Sequence, residues 1–503
     1  MARGLTQRTL SGMLWMGYGK AAFAILQLIV LAVLARLVSP LDFGVISAAL
    51  VVIGFSSIVS QLGLGPAIVQ RPQLEPRHLD TAFAASMLLG LALGSIVWVG
   101  APIAAGFMHL DGLTPVLRAL AWVFPLNGLG TVASGLLSRE LRFSWLANLD
   151  VVSYGIGYGA VGITTALLGW GVWALVAGQL GQALVRNAML LTQHPPRLPP
   201  RIERAALQDL VYFGGGFTIA KLANYAAVTG DSVVTGRFLG AGALGYYGRA
   251  YSLMSAPAYA FGAVLDVVLF PAMARVQNDP IRLAAAYRRG VALIAVVVLA
   301  PSATIILLAP ELIRVMLGAH WAGVVVPFQI LGIGMLFRTS YKMSDSIARS
   351  TGAVYRRAWR QILYAGLVVL GAWIGQRWGV AGVAWGALAA LTVNFFLMAE
   401  LSLDVARITW GEFWTAHRPA VLLTVCSFPI VWGAALLTRQ VDLPAIIVIL
   451  VVGGLQLLMC GLLIARLPQL FLGQDGQWMM ETLRGFLSRR TRAAKAPESP
   501  ALP

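Results

Sequence analysis

Charge is scarce in this chain. Only 11% of its 503 residues are Asp, Glu, Lys or Arg, while 58% are hydrophobic; an average soluble protein carries about 25% charged residues. A soluble core of this length cannot hide so much apolar surface, so lipid is the expected solvent. Cysteine is almost missing. Cys426 and Cys460 both fall inside apolar runs and form no CxxC pair, which excludes a disulfide framework and leaves two small packing residues. Lysine is also rare. Lys20, Lys221, Lys342 and Lys495 are followed by Ala21, Leu222, Met343 and Ala496, so no phosphate loop with its Lys-Ser or Lys-Thr ending is present, and an ATP-driven pump in one chain is excluded. His78, His109, His194, His320 and His417 are scattered without ligand spacing, so neither a metal site nor any other cofactor is expected. Basic residues outnumber acidic ones, with a net charge of +17. They sit in short clusters between apolar runs rather than in a basic arm or domain, so the excess does not point to nucleic acid.

What is present is a series of apolar runs. A membrane-spanning helix needs about 20 of them in succession, and fourteen candidates begin near Leu10, Gly44, Thr81, Leu117, Leu146, Trp170, Leu210, Ala243, Tyr287, Ala322, Trp359, Val380, Pro419 and Leu443. Arg3 and Arg8 precede the first without a compact cleavable signal, so it reads as a retained helix. With the N-terminus inside, most of the 37 basic residues fall in inner connections and the tail, and only Arg36, Arg118, Arg237, Arg314, Arg377 and Arg439 fall outside. That bias orients the chain and places both termini in the cytoplasm. The connection between the tenth and eleventh spans carries Arg338, Lys342, Arg349, Arg356, Arg357 and Arg360.

The runs repeat. Lys20, Arg36 and Gly44 recur without a gap 201 residues later as Lys221, Arg237 and Gly245, and Trp170-Gly171-Val172 returns as Trp378-Gly379-Val380. Two copies of six spans keep one orientation, so an axis along the membrane normal should relate them. The fold expected is an all-α membrane protein of about fourteen spans, two pseudo-symmetric six-helix lobes plus two C-terminal helices. The lobes are residues 1–193 and 209–405, joined by a Pro/Arg linker over 194–208 that contains His194-Pro195-Pro196-Arg197-Leu198-Pro199-Pro200-Arg201; the extra helices are 406–468 and the cytoplasmic tail 469–503. In that tail Trp478, Met479, Leu483, Phe486 and Leu487 share roughly one face, which suits a helix on the inner leaflet.

Charges at bilayer depth are costly and usually face a partner or a wet cavity. Lys20 and Lys221 hold equivalent places in the first and seventh spans. Gln27 shares a face with Lys20, and Asn224, Tyr225, Val228 and Asp231 share one with Lys221, a mixed face because Val228 is apolar. Two opposed ammonium groups would draw an anion, a phosphate or diphosphate first of all; the plainer alternative is that each snorkels or pairs within its own lobe. Asp231 and Arg249 lie at similar depth, and a helix-pinning ion pair is expected of them ahead of proton coupling. Arg36 and Arg237, at the outer ends of the matched spans, either guide an anion out or anchor helix ends. Pro257 and Pro327 are candidate kinks.

Several motifs carry a family likeness. They are Ser11-Gly12-Met13-Leu14-Trp15, Leu34 to Gly44 with its Ser39-Pro40-Leu41-Asp42, Leu62 to Arg71, Gly236-Arg237-Phe238-Leu239-Gly240-Ala241 before Leu244 to Tyr247, Leu269-Phe270-Pro271-Ala272 before Gln277-Asn278-Asp279, and Gly318-Ala319-His320-Trp321. By these the chain resembles the polysaccharide flippases of the multidrug/oligosaccharidyl-lipid/polysaccharide superfamily, the colanic-acid (Wzx-like) exporters in particular. The resemblance implies a V-shaped pair of lobes working by alternating access in a bacterial inner membrane. It implies undecaprenyl-diphosphate-linked oligosaccharide as substrate, for exopolysaccharide, capsule or lipopolysaccharide synthesis, with a polymerase and chain-length or export proteins as partners besides membrane lipids. On that reading Lys20, Lys221, Arg36, Arg237, Gln27, Asn224 and Tyr225 would contact substrate. Rival readings are a cation-coupled drug exporter, which needs mid-depth carboxylates not found at the lysine level, and a glycan polymerase or ligase, which needs a larger outer loop than those around His109–Val116 and Pro310–Trp321. A flippase for a lipid-linked peptidoglycan precursor differs only in substrate.

Overall fold

The computed structural model describes residues 22–61, 64–70, 73–196, 202–264, 270–478 and 480, and these contain helices and turns without a β-strand. Helix α1 covers Ala22–Leu37. It is followed by α2 (Pro40–Gln61), α3 (Leu64–Gln70), α4 (Pro76–Met108), α5 (Leu113–Leu120), α6 (Val123–Arg139) and α7 (Phe143–Tyr154). A π-helical stretch, Gly155–Gly162, leads into α8 (Ile163–Leu167) and α9 (Val172–Gln193). Next come α10 (Arg204–Val264), α11 (Phe270–Arg275), α12 (Pro280–Leu307), α13 (Ala309–Met316), a 3-10 turn at Ala319–Val324, α14 (Val325–Ile333) and α15 (Met335–Ser350). Then follow α16 (Val354–Gly375), α17 (Gly379–Ala406), α18 (Trp410–Gln440), α19 (Ala445–Arg466) and α20, over 468–478.

The helix starts follow from local chemistry. Ser39 caps α2: its Oγ accepts the Asp42 amide at 3.2 Å and donates to the Asp42 carboxylate at 2.7 Å, with Pro40 at the first helical position. Asp279 caps α12 ahead of Pro280, and Thr409 and Glu412 form a reciprocal box at the start of α18. These starts lie at the ends of apolar runs, so capping fixes where each span begins.

Among the described residues, helices stand at the fourteen expected span positions, the first from Ala22 onward. Seven described stretches are long and apolar enough to cross a membrane outright, and the bent pair Ala319–Ile333 and Met335–Ser350 makes an eighth. The remainder are broken or polar, as the π-helical fifth and the α10 pair show. In α10 the break between the seventh and eighth spans is Gly240, whose φ of 84° suits a residue without Cβ; Pro257 sits inside the second half. The tenth span bends by 46° at Gly334, beyond Pro327. The connection expected after that span is largely helix: α15 carries Arg338, Lys342 and Arg349 and buries most of its residues. Their charge made the segment read as a loop, but it is matched within the protein, since the Asp345 carboxylate takes both Arg349 and Arg357.

The residues form two compact units. One comprises Met1–Ala256, Ile313–Leu331 and Ala358–Asn394; the other comprises Pro257–Leu312, Gly332–Arg357 and Phe395–Pro503. Large apolar side chains line the surface of both, with Ile103 77% and Leu457 73% exposed, as lipid-facing helices require. Inside the first unit α16 and α17 meet through paired glycines. Gly371 faces Gly386 and Gly375 faces Gly382, each without room for a Cβ against the opposite backbone, so two G-x-x-x-G faces pack together. Gly375→Leu or Gly382→Leu is expected to separate this hairpin and cut the amount of protein recovered from membranes several-fold, whereas Gly366→Leu, at an open position, leaves it unchanged on an immunoblot.

In the second unit α18 and α19 enclose a cluster of Leu308, Val431, Ala435, Val448 and Val452. Arg439 ties α18 to α13 through Glu311, at 2.7 Å and 2.9 Å, and caps the Leu307 carbonyl at 2.8 Å. On α20, Asp475 faces Arg288 and Arg289 at 3.5 Å and 3.6 Å, and the Arg289 guanidinium lies 3.7 Å from the Trp478 ring centre. The rest of the amphipathic tail expected from sequence lies outside the described residues.

Candidate functional site

The most unusual charge in the first unit is Arg249, on the second half of α10. Its Nε is buried with no hydrogen-bond partner, and its guanidinium carbon stands 4.9 Å over the ring of Phe43 on α2. No carboxylate pairs with it among the described residues. Its charge reaches the phenols of Tyr154 and Tyr158. These two rings stack on each other with centres 5.1 Å apart, and Phe23 of α1 meets Tyr154 edge-on at 5.3 Å. The Tyr158 hydroxyl donates to Gln179 Oε1 on α9 at 2.7 Å.

The π-helical stretch sets this arrangement. Residues Tyr154 to Gly159 alternate tyrosine with small or branched residues around Gly155, Gly157 and Gly159. Gly157 has no space for a Cβ against the Gln182 backbone, and the Tyr158 ring lies on Gly178. Close approach to α9 at both glycines holds the segment in the wider turn, and such insertions commonly mark functional positions. Leu26 and Val30 of α1 pack on Gly155 and Gly159. The result is one guanidinium, two half-buried phenols and an amide, together with apolar ring faces. A guanidinium presents a planar fork suited to phosphate, while aromatic faces and amide groups suit the apolar and hydroxyl-bearing sides of sugar rings.

The ion pair expected between Asp231 and Arg249 does not form. Asp231 is 2% exposed, and its carboxylate accepts the Tyr247 hydroxyl at 2.6 Å and the Ser232 amide at 2.7 Å. A fully buried phenol, two residues nearer along α10 than Arg249, satisfies it first, and Arg249 is directed to Phe43 instead. Tyr225 is also occupied: its hydroxyl donates to the Leu50 and Val51 carbonyls of α2, at 3.2 Å and 3.0 Å. Gln27 is exposed on α1. Lys20 and the side chains of Lys221 and Asn224 lie outside the described residues. Arg36 donates to the Val315 carbonyl at 2.6 Å, and Arg237 donates to the Phe107 carbonyl with His109 Nδ1 at 3.3 Å. Sequence reasoning missed Phe43, Tyr154, Tyr158 and Gln179. The signal available was the Tyr-Gly-Ile-Gly-Tyr-Gly run, too polar in shape and too glycine-rich for an ordinary span.

Residues 33–326 match the profile of the family described as "Polysaccharide biosynthesis protein". The chain belongs to that family. Among curated relatives, it is 23% identical to the teichuronic acid biosynthesis protein TuaB of Bacillus subtilis over 88% of this chain and 92% of that one. It is 22% identical to the lipopolysaccharide biosynthesis protein WzxC of Escherichia coli, over 78% and 80% of the two chains. Among solved structures, the lipid II flippase MurJ in an inward closed conformation shares the fold, with a TM-score of 0.71 at 13% identity, covering 90% of this chain and 99% of that one. The likeness read from the motifs of residues 10 to 330 therefore holds across nearly the whole chain.

Proposed function

We propose that this polysaccharide biosynthesis family member is a flippase for a lipid-linked oligosaccharide carried on a diphosphate. The observation that carries the reading is Arg249: a half-buried guanidinium with no carboxylate partner among the described residues, standing over Phe43 and within electrostatic reach of Tyr154 and Tyr158. A structural arginine in lipid is normally partnered, because an unpaired buried charge costs several kcal/mol. A role in binding an anion explains why this one persists. The phosphates would take the guanidinium, the sugars would lie on the Tyr154 and Tyr158 side, and the polyprenyl tail would stay in the bilayer. No nucleophile, metal cluster or phosphate loop accompanies the site among the described residues, so the chemistry supported is binding and release by alternating access.

The two like-oriented lobes, 1–193 and 209–405, the linker over 194–208, the added helices and the inner tail belong to this proposal, as do the inner membrane, cytoplasmic termini, and polymerase or export partners. Lys20 and Lys221 would add to the cationic lining. Deleting the gene tests the function directly. A diphosphate-linked oligosaccharide should accumulate on the cytoplasmic leaflet, identified by mass spectrometry of extracted lipids, while its extracellular polymer is lost. Polymer output unchanged in the deletion strain would remove the proposed role.

A further inference from the structure

The two repeat copies touch each other in a manner that the sequence offsets make visible. Gly44 of α2 has no room for a Cβ because the Ala241 carbonyl occupies the space, and Gly245 is blocked in the same way by the Pro40 carbonyl. Pro40 and Ala241 are themselves equivalent under the 201-residue offset that relates Gly44 to Gly245. The contact is thus made twice, once from each side. One turn further along, Ser47 and Gly248 are again equivalents, and an ideal Cβ on Gly248 would lie 3.6 Å from Ser47 Oγ. A pair of equivalent residues in mutual contact marks the pseudo-twofold axis itself.

The arginines obey the same symmetry. Arg36, at the end of α1, donates to the carbonyl of Val315 in the last turn of α13. Arg237, its equivalent on α10, donates to the carbonyl of Phe107 in the last turn of α4 and lies 4.5 Å over the Phe107 ring. Phe107 and Val315 differ by 208, the offset of the second repeated motif. Each arginine therefore caps a helix C-terminus of the other copy: Arg237 that of α4, and Arg36 that of the short helix α13. A helix C-terminus offers unsatisfied carbonyls and partial negative charge, so a cation is favoured there. The Ala35 carbonyl beside Arg36 receives Trp321 Nε1 at 2.7 Å and faces His320 Nε2 at 2.8 Å. Trp321, fully buried, packs edge-on to Phe43 and Tyr246 at 5.2 Å and 6.1 Å.

We infer that this pair of exchanged arginine caps, closed over the Gly44–Gly245 crossing, is the extracytoplasmic latch of the transport cycle. The inference rests on the flippase reading and on the orientation given to the chain. Arg36 and Arg237 act as positioning residues. Each holds a helix end, so the role inferred for them is gating in place of the substrate contact expected from sequence. The latch adjoins the candidate binding site, because Phe43 and Arg249 flank Gly44 and Gly248 in sequence. Its opening must break both caps and part the two glycine-faced helices; single charge-assisted hydrogen bonds and short backbone contacts are weak enough for that to be reversible.

A reversible cross-link tests this. In a background with Cys426→Ala and Cys460→Ala, Ser47→Cys with Gly248→Cys should form an intramolecular disulfide on mild oxidation, since a Cβ at position 248 would lie 3.6 Å from the γ-atom of residue 47. Oxidation should lower polymer export at least ~10-fold, and reduction should restore it, because a locked population cannot exchange states. Arg36→Ala with Arg237→Ala should slow disulfide formation about 10-fold and raise labelling of Ser47→Cys by an external, impermeant thiol reagent by a similar factor, each single change giving an intermediate value. Failure of the disulfide to form, or full export by the oxidised protein, overturns the latch. Disulfide yield and labelling need no substrate, so they report on the latch even if the deletion strain accumulates no lipid-linked sugar.

Discussion

Arg249→Gln is expected to abolish export, by about 100-fold or more, while leaving normal amounts of protein in the membrane. Truncating one partner of a desolvated charge pair costs about 2 to 5 kcal/mol, or roughly 30-fold to several thousand-fold in affinity. Here the missing partner is the substrate phosphate. Arg249→Lys keeps the charge but loses the planar fork, so an intermediate loss near 10-fold is expected. The telling measurement is thermal unfolding of the purified variants. If Arg249 waits for a ligand, the empty protein bears the cost of its unpaired Nε, and Arg249→Gln should melt at the same temperature as the parent or above it. If Arg249 is merely structural, loss of its contact with Phe43 should lower both melting temperature and export together. Export at the parental rate by Arg249→Gln would rule out the diphosphate site. Tyr158→Phe, which removes only the 2.7 Å bond to Gln179, should weaken export by a few-fold at most.

Much of the architecture was legible because its signals are redundant. Long apolar runs, Ser39-Pro40 and Asp279-Pro280 starts, and alternating basic ends each point to the same spans. The repeat was legible as well, through Arg36 and Arg237 and through Gly44 and Gly245. Its use was not, since a sequence shows that two glycines are equivalent but not that each faces the other copy's carbonyl. The site failed to read for a different reason. Asp231 and Arg249 have matching depth, and depth alone favours pairing; which side of a helix wins is decided by Tyr247, whose hydroxyl lies closer to the acid. Likewise the stacking of Tyr154 on Tyr158 was not legible, because the π-helical turn that brings them together does not follow the 3.6-residue period on which face assignments rest.

Helix α15 shows the opposite error, and it supplies the largest stability effect expected. Its charges argued for a solvated connection, yet Asp345 is only 8% exposed and holds Arg349 at 3.1 Å along with Arg357 from α16. The Tyr341 hydroxyl reaches the same carboxylate at 3.4 Å. One nearly buried acid thus serves two guanidiniums, and its neighbours on α15 pack Tyr341 and Ala348 against Met398 and Leu401 of α17. Asp345→Asn leaves both cations with a neutral amide. Breaking a buried pair costs about 3 to 5 kcal/mol; the low end, about 3 kcal/mol, is expected here because Arg357 and Arg349 keep 24% and 36% side-chain exposure. The double change Asp345→Leu with Arg357→Met removes the acid and its closer partner together, so it should recover most of that loss. Melting of the parent, Asp345→Leu, Arg357→Met and the double variant in detergent forms a thermodynamic cycle. A double variant as unstable as the sum of its single changes, or an unaltered Asp345→Asn, would mean that the cluster is a solvated surface group and that α15 is held by its apolar face alone.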